Sequence, residues 1–206
     1  MLIKTLPVGQ IEANCYIVTD EDTLECVVID AGDESNTIMN YLEDRKLKVK
    51  YIFLTHGHFD HTMAANAVHE ETGAPICMHK LDANATISSA PFRFNPPADT
   101  IWYDEGDTFT VGSLKFEILH TPGHTPGGVT IRCEDALFTG DTLFRESCGR
   151  TDLPGGDMSV LMKSLKRLSD LPGDYEVYPG HMDSTTMSRE RLFNYYLRYA
   201  NEIANG

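Results

Sequence analysis

Four short segments of this chain end alike: an apolar, strand-like run, then a glycine, then a residue of metal-ligand type. They occupy residues 51–58, 116–124, 136–141 and 175–181. The first continues into Phe59, Asp60 and His61, which makes His56-x-His58-x-Asp60-His61. Strands of one sheet that stop at one edge deliver the next side chains to one place. The pattern therefore predicts a sheet-based fold with His56, His58, Asp60, His61, His124, Asp141 and His181 gathered at an edge. Glycine beside each ligand lets the backbone take angles other residues resist and pass close to an ion.

Short β-branched runs predict strands over 2–6, 14–19, 24–30, 49–54, 75–78, 108–111, 114–119, 128–132, 136–139 and 175–178. Apolar residues at helical spacing predict helices over 34–47, with Ile38, Met39 and Leu42, and over 60–72, ended by Gly73. A brief helix is expected over 80–86. Residues 158–169 carry the stripe Met158, Leu161, Met162, Leu165 and Leu168. A last helix over 187–203 has Leu192, Tyr196, Tyr199 and Ile203 on one side. Residues 87–107, with three prolines and with Phe92, Phe94, Trp102 and Tyr103, read as a long aromatic loop that walls a pocket or covers the core. No linker or charge block divides the chain. The expectation is one α/β domain over 1–206, two mixed β-sheets packed together with helices on both outer faces.

The net charge of -14, from 17 basic and 31 acidic residues, argues against a nucleic acid partner, whose phosphates are bound by neutralising them. It argues equally against an anionic membrane, and no apolar run approaches spanning length. The first seven residues are too few and too quickly polar for a secretory signal, which places the protein in the cytoplasm. Five scattered cysteines without a C-x-x-C pair exclude a disulfide framework and a thiolate zinc site. Four of them read as buried thiols.

Histidine and aspartate without cysteine suit divalent zinc first, with iron or manganese as alternatives. Seven ligands exceed one tetrahedral ion. They suit two ions about 3.5–4 Å apart that share a carboxylate. Such a pair turns a shared water into a bridging hydroxide at neutral pH and polarises a carbonyl. The reaction class is hydrolysis of an activated acyl or phosphoryl group. Two divalent ions against Asp60, Asp141 and hydroxide leave about one net positive charge, enough to hold a modestly anionic substrate. His69, His79 and His120 read as packing or surface residues, with His120 the nearest to a partner role beside His124. Thr55, Thr121 and Thr139 read as residues that orient the loops, and Arg189, Arg191 and Arg198 as solvated surface.

At Thr55–His61, Thr121–His124, Gly140-Asp141 and Pro179–His181 the chain resembles the metallo-β-lactamase-fold superfamily over essentially its whole length. The resemblance implies a four-layer αβ/βα sandwich with metals at its edge. It also implies that His56, His58 and His124 bind one metal, that Asp60, His61 and His181 bind the other, and that Asp141 bridges while Asp60 orients the attacking hydroxide. Classical zinc β-lactamases usually carry Cys at the place of Asp141, and flavodiiron-type reductases carry Glu at that of His58. Residues 140–156 look most like small glyoxalase II-like hydrolases of S-acylglutathione thioesters such as S-lactoylglutathione. A small-molecule thioester, possibly a glutathione conjugate, is the implied substrate; full glyoxalase II enzymes hold glutathione with an extra helical domain, and with one helix expected after His181 the expectation is weak or absent glutathione specificity. The run Cys148–Asp152 also resembles mono-iron persulfide dioxygenases. Lactone and phosphodiester hydrolases of the fold are further alternatives. Arg150, paired with Asp152, is the expected contact to an anionic substrate.

Overall fold

The computed structural model describes residues 1–83 and 93–205. The amino-terminal sheet contains β1 (Leu2–Val8), β2 (Ala13–Thr19), β3 (Glu25–Ile29), β4 (Lys48–Phe53), β5 (Ile76–His79) and β6 (Ile101–Tyr103), in that order. Its first three strands pair antiparallel, and β3 to β6 pair parallel. Helices α1 (Ser35–Asp44), α2 (Phe59–Thr62) and α3 (Ala65–Thr72) lie between its strands in sequence.

The second sheet is built from β7 (Thr108–Val111), β8 (Leu114–His120), β9 (Val129–Cys133) and β10 (Ala136–Gly140). A separate two-stranded hairpin follows, β11 (Leu143–Phe144) and β12 (Ser147–Cys148). Beyond α4 (Met158–Ser169), β13 (Glu176–Pro179) and β14 (Thr185–Thr186) complete the sheet in the order β14-β13-β10-β9-β8-β7. Helices α5 (Met187–Phe193) and α6 (Tyr195–Asn205) end the chain. Strand β13 pairs parallel to β10, and β8, two antiparallel steps away from β10, runs the same way.

Period-two alternation explains the layers, because successive side chains of a strand point to opposite faces. Val27, Ile29, Phe53, Phe116, Ile118 and Phe138 meet between the sheets. Val28, Ile52 and Ile76 face outward to Ile38, Leu42 and Val68 of the helices. On the far side Leu119, Leu137 and Val177 pack on Leu161, Leu165, Leu168 and Leu197. The strands read as nearly continuous apolar runs because both their faces are covered. The expected two-sheet sandwich with helices on both outer faces is what the chain forms.

Several boundaries differ from the expectation, each for a local reason. The helix expected over 60–72 breaks after Thr62, where the Ala64 N–H donates to Ala31 O at 3.0 Å instead of continuing the helical ladder. Gly73 does end α3, in the left-handed conformation. The last helix breaks at Asn194, whose side-chain oxygen accepts from the N–H groups of Tyr196 and Leu197 and starts α6 afresh. Leu192, Tyr199 and Ile203 are exposed, and the buried side of α6 is Leu197 and Ala200. Met158 is likewise exposed. The expected long loop contains β6, with Tyr103 buried between the sheets and Phe94 in the outer core. Residues 84–86 of the brief helix and 87–92 of that loop lie outside the described residues. Among the described residues no helix is long and apolar enough to cross a membrane. Cys15, Cys26, Cys77 and Cys133 are buried free thiols.

Asp157 accepts from the N–H groups of Ser159 and Val160 and so caps α4, the helix that covers the second sheet. Its central residue Leu165 is fully buried. Leu165→Ala is expected to cost on the order of 2–5 kcal/mol through lost burial and the cavity left behind, read as a lower urea midpoint at unchanged slope.

Candidate metal centre

All seven predicted ligands converge. Strands β3, β4 and β5 and strands β8, β10 and β13 end at one edge of the sandwich. The loop after β4 presents His56 and His58, and α2 presents Asp60 and His61. His124 follows β8, Asp141 follows β10 and His181 follows β13. The ligand atoms of His56, His58 and His124 lie within 4.8 Å of one another, as do those of Asp60, His61 and His181. Asp141 touches both groups: Oδ2 is 3.3 Å from His124 Nε2, and Oδ1 is 3.5 Å from His61 Nε2. His181 Nε2 lies 3.2 Å from Asp60 Oδ2. The side chain of His181 stays 23 % exposed while that of His61 is fully buried, so the centre opens to solvent on the His181 side.

Two glycines show why this approach is possible. Gly123, before His124, has φ of 132°, and a Cβ there would sit 2.3 Å from the Leu161 nitrogen. At Gly180, before His181, a Cβ would sit 2.2 Å from Asp141 Oδ1. A side chain at Gly180 would fill the space between the carboxylate and the His181 loop.

Hydrogen bonds decide which nitrogen each ring presents. His61 Nδ1 lies 2.9 Å from Asp30 Oδ2, and His124 Nδ1 lies 2.7 Å from Arg150 O. Both partners can only accept when Asp30 is ionised, so each Nδ1 carries the proton. Thr55 Oγ1 donates to Asp30 Oδ2 at 2.6 Å and leaves its lone pair for His56 Nδ1, 3.1 Å away. All three rings thus donate from Nδ1 and keep Nε2 as the ligating atom, the arrangement that fixes metal-binding imidazoles. Among the described residues, His56 Nε2 and Asp141 Oδ1 are buried without a hydrogen-bond partner, whereas His58 turns its Nδ1 to the group, 2.9 Å from His124 Nε2. Each such orphan costs about 1–3 kcal/mol, and a cation bound by the lone pairs would offset it. The donor set fits divalent metal.

Charge follows from the same contacts. Burial, then the neighbouring imidazoles of His61 and His124, holds the pKa of His56 well below its usual value. Burial and His124 push His58 down to about 4. Burial works against charge on His61 as well, but Asp30 and Asp141 outweigh it and push that pKa up to about 10. Burial would raise Asp60, yet the hydrogen bond from His181 and the charge of His61 bring it to about 2.

Two buried carboxylates went unrecognised in the sequence. Asp30 accepts from the Thr55 N–H at 2.7 Å as well as from Thr55 Oγ1 and His61. Asp82 accepts from Gly57 N–H at 2.9 Å, from Thr125 Oγ1 at 2.7 Å and from Gly127 N–H. Asp30 ends a β-branched strand as the ligands do, but no glycine precedes it. Asp82 carries no local signal, because its partners are 25 to 45 residues away.

Arg150 pairs with Asp152 through Nε at 2.7 Å and Nη2 at 2.6 Å, both residues exposed. Its carbonyl, not its side chain, reaches the centre beside His124, and His120 is a packing residue as expected. His120 donates from Nε2 to Pro126 O at 2.9 Å. It stacks on His79 at 4.5 Å and 8°. Asp104 joins these two as a further group of ligand-type side chains. Parallel ring planes share no point at which one ion could lie in both, whereas His58 and His124 meet at 85°. Arg191 is not solvated surface: it donates to the carbonyls of Ser169, Leu171 and Gly173 at the end of α4.

A family model for the metallo-β-lactamase superfamily matches residues 8–181. The chain belongs to that superfamily, a class of metal-binding hydrolases. An uncharacterised protein of Aquifex aeolicus is 41% identical over the full length of both chains. The hydroxyacylglutathione hydrolase GloC of Haemophilus influenzae is 34% identical, covering 96% of this chain and 98% of the relative. Among solved structures, the BLEG-1 B3 metallo-β-lactamase superposes with a TM-score of 0.85 at 34% identity, covering 95% of this chain and 99% of that one. TTHA1623 in a di-iron-bound form gives 0.83 at 35%, with 94% and 99% covered. ETHE1 from Myxococcus xanthus gives 0.81 at 28%, with 98% and 91% covered.

Two outcomes are expected. In chelator-treated protein His61 holds a proton below about pH 10, and a cation on Nε2 must displace it. Metal affinity should then rise with pH up to that value. Calorimetric titration at pH 8 in buffers of different ionisation enthalpy should show net proton release; none would mean that His61 is already neutral. The double variant His79→Ala, His120→Ala should keep the wild-type metal content by elemental analysis.

Proposed function

We propose that this protein is a binuclear metal-dependent hydrolase of small thioesters, S-lactoylglutathione being the model substrate. His56, His58 and His124 would hold one divalent cation and Asp60, His61 and His181 the other, with Asp141 shared between them. Zinc is the first choice, with iron or manganese as alternatives. The observation that carries the reading is the set of Nδ1–H bonds that turn the Nε2 lone pairs of His56, His61 and His124 to ligation beside a carboxylate touching both groups.

A pair of cations held by these residues would supply a water with a pKa lowered toward ~7 and a Lewis acid for the carbonyl under attack. The side chains do the rest. Asp60, ionised at neutral pH, accepts a hydrogen bond from that water and orients it. Asp30 and Arg150 O keep the rings of His61 and His124 from turning. The ligands are committed to metal, so no histidine of the centre is left as a general acid. A thiolate, whose conjugate acid has a pKa of about 8–9, leaves without one. This favours a thioester over an ester or amide. The likeness of residues 140–156 to glyoxalase II-like hydrolases and the match to GloC point the same way. Five free cysteines suit the reducing cytoplasm.

Metal-loaded protein should release thiol from S-lactoylglutathione with no oxygen consumption. Oxygen uptake with glutathione persulfide would instead mark a mono-iron dioxygenase. Turnover of a β-lactam, the reaction named for BLEG-1, of a lactone or of a phosphodiester without thioester cleavage would likewise overturn the reading. Asp141→Ala should lose at least one metal and nearly all activity; a fully active variant removes the bridging role. Arg150→Ala should raise KM for the anionic thioester several-fold with kcat little changed, because its side chain lies outside the centre while its carbonyl is retained.

A further inference from the structure

His181 is the ligand whose position is hardest to account for. It sits on a short turn after β13, and the next residue, Met182, is exposed with φ of 69°. One bond comes from its own sheet, Gly180 N–H to Gly140 O at 2.8 Å. The others come across the sandwich from β2. Asn14 N–H donates to Gly180 O at 2.8 Å. Asn14 Nδ2 donates to Pro179 O at 3.0 Å and to Met182 O at 2.9 Å. The Tyr16 hydroxyl donates to Pro179 O at 2.6 Å.

Asn14 is buried, and both its Nδ2 protons are spent on carbonyls that flank His181 on either side. Without them the Met182 carbonyl loses the bond that helps to hold a strained left-handed, non-glycine conformation. The other metal group is anchored separately. Asp82 joins the His56–His58 loop, through Gly57, to the His124 loop, through Thr125 and Gly127. No bond of Asn14 or Tyr16 reaches these loops.

We infer that Asn14, with Tyr16, is a positioning residue that sets occupancy of the second metal position alone, as Asp82 does for the first. The inference rests on the binuclear reading above. It assigns to a residue more than 160 positions away in sequence the choice between a one-metal and a two-metal centre. Removing a partner that orients a metal ligand typically weakens binding about 10–100-fold, enough to empty one position during gel filtration and leave the other filled.

The test titrates chelator-treated full-length protein with zinc by calorimetry and counts metal after gel filtration. Wild type should bind two ions in resolvable steps. A single ion in wild type would sink the binuclear reading itself, before any variant is considered. Asn14→Ala and Asn14→Asp should retain one ion, with the weaker step at least about tenfold poorer and the tighter step unchanged. Tyr16→Phe should shift the same step by less, since Pro179 O keeps its bond from Asn14. Asp82→Asn should weaken the opposite step. If Asn14→Ala does not fold, Asn14→Asp and Tyr16→Phe carry the comparison. Two ions at wild-type affinity in folded Asn14 variants, or equal weakening of both steps, would overturn the inference, because a merely structural role does not discriminate between positions.

Discussion

A buried carboxylate at the end of β3 ties the functional edge together. Asp30 accepts from the backbone and hydroxyl of Thr55 and from the ring of His61. Through Thr55 it orients His56, which belongs to the first ligand group, and through His61 it orients the second. A charge removed from water must be fully hydrogen-bonded to be tolerated, so the strand ends of β3 and β4 and the short helix α2 are held in one arrangement. The rings then have no freedom to choose another tautomer.

The middle and the edge of the sandwich obey different physics. Between the sheets the contacts are apolar, non-directional and tolerant of small shifts. At the edge the anchors named above are directional polar bonds between segments far apart in sequence: Asp30 to the β4 loop, Asp82 between the two sheets' loops, Asn14 to the His181 turn. The hairpin of β11 and β12 is held in the same manner. Buried Glu190 accepts from the Glu146 N–H at 2.7 Å, and Asn194 donates to the carbonyls of Phe144 and Ser147. That hairpin places Phe144 edge-on to His181 at 6.1 Å and leads into the loop whose carbonyl holds His124. The apolar layers bring the strand ends near one another, and the polar anchors decide where the ligands point.

Much of this was legible beforehand, and the residues show why. His56, His58, Asp60, His61, His124, Asp141 and His181 each sit just beyond an apolar run, where local pattern and residue type coincide. The sandwich followed from apolar runs bounded by turns. The failures share a cause as well. Leu192, Tyr199 and Ile203 have helical spacing, but spacing does not say which stripe meets the sheet, and Asn194 broke the helix between them. Strand β6 was hidden among prolines and aromatics because its three residues, though each favours a strand, are too few to show a period, and pairing with β5 completes it.

The sequence by itself marked the seven side chains that converge and the two-sheet architecture, because those depend on residue type and on periodicity along a few residues. Tertiary structure alone decided which nitrogen His56, His61 and His124 offer, how Asp141 reaches both groups, and that Asp30, Asp82 and Asn14 hold the loops. These are long-range hydrogen bonds, and a bond between residues tens to more than a hundred positions apart leaves no periodic trace in either segment.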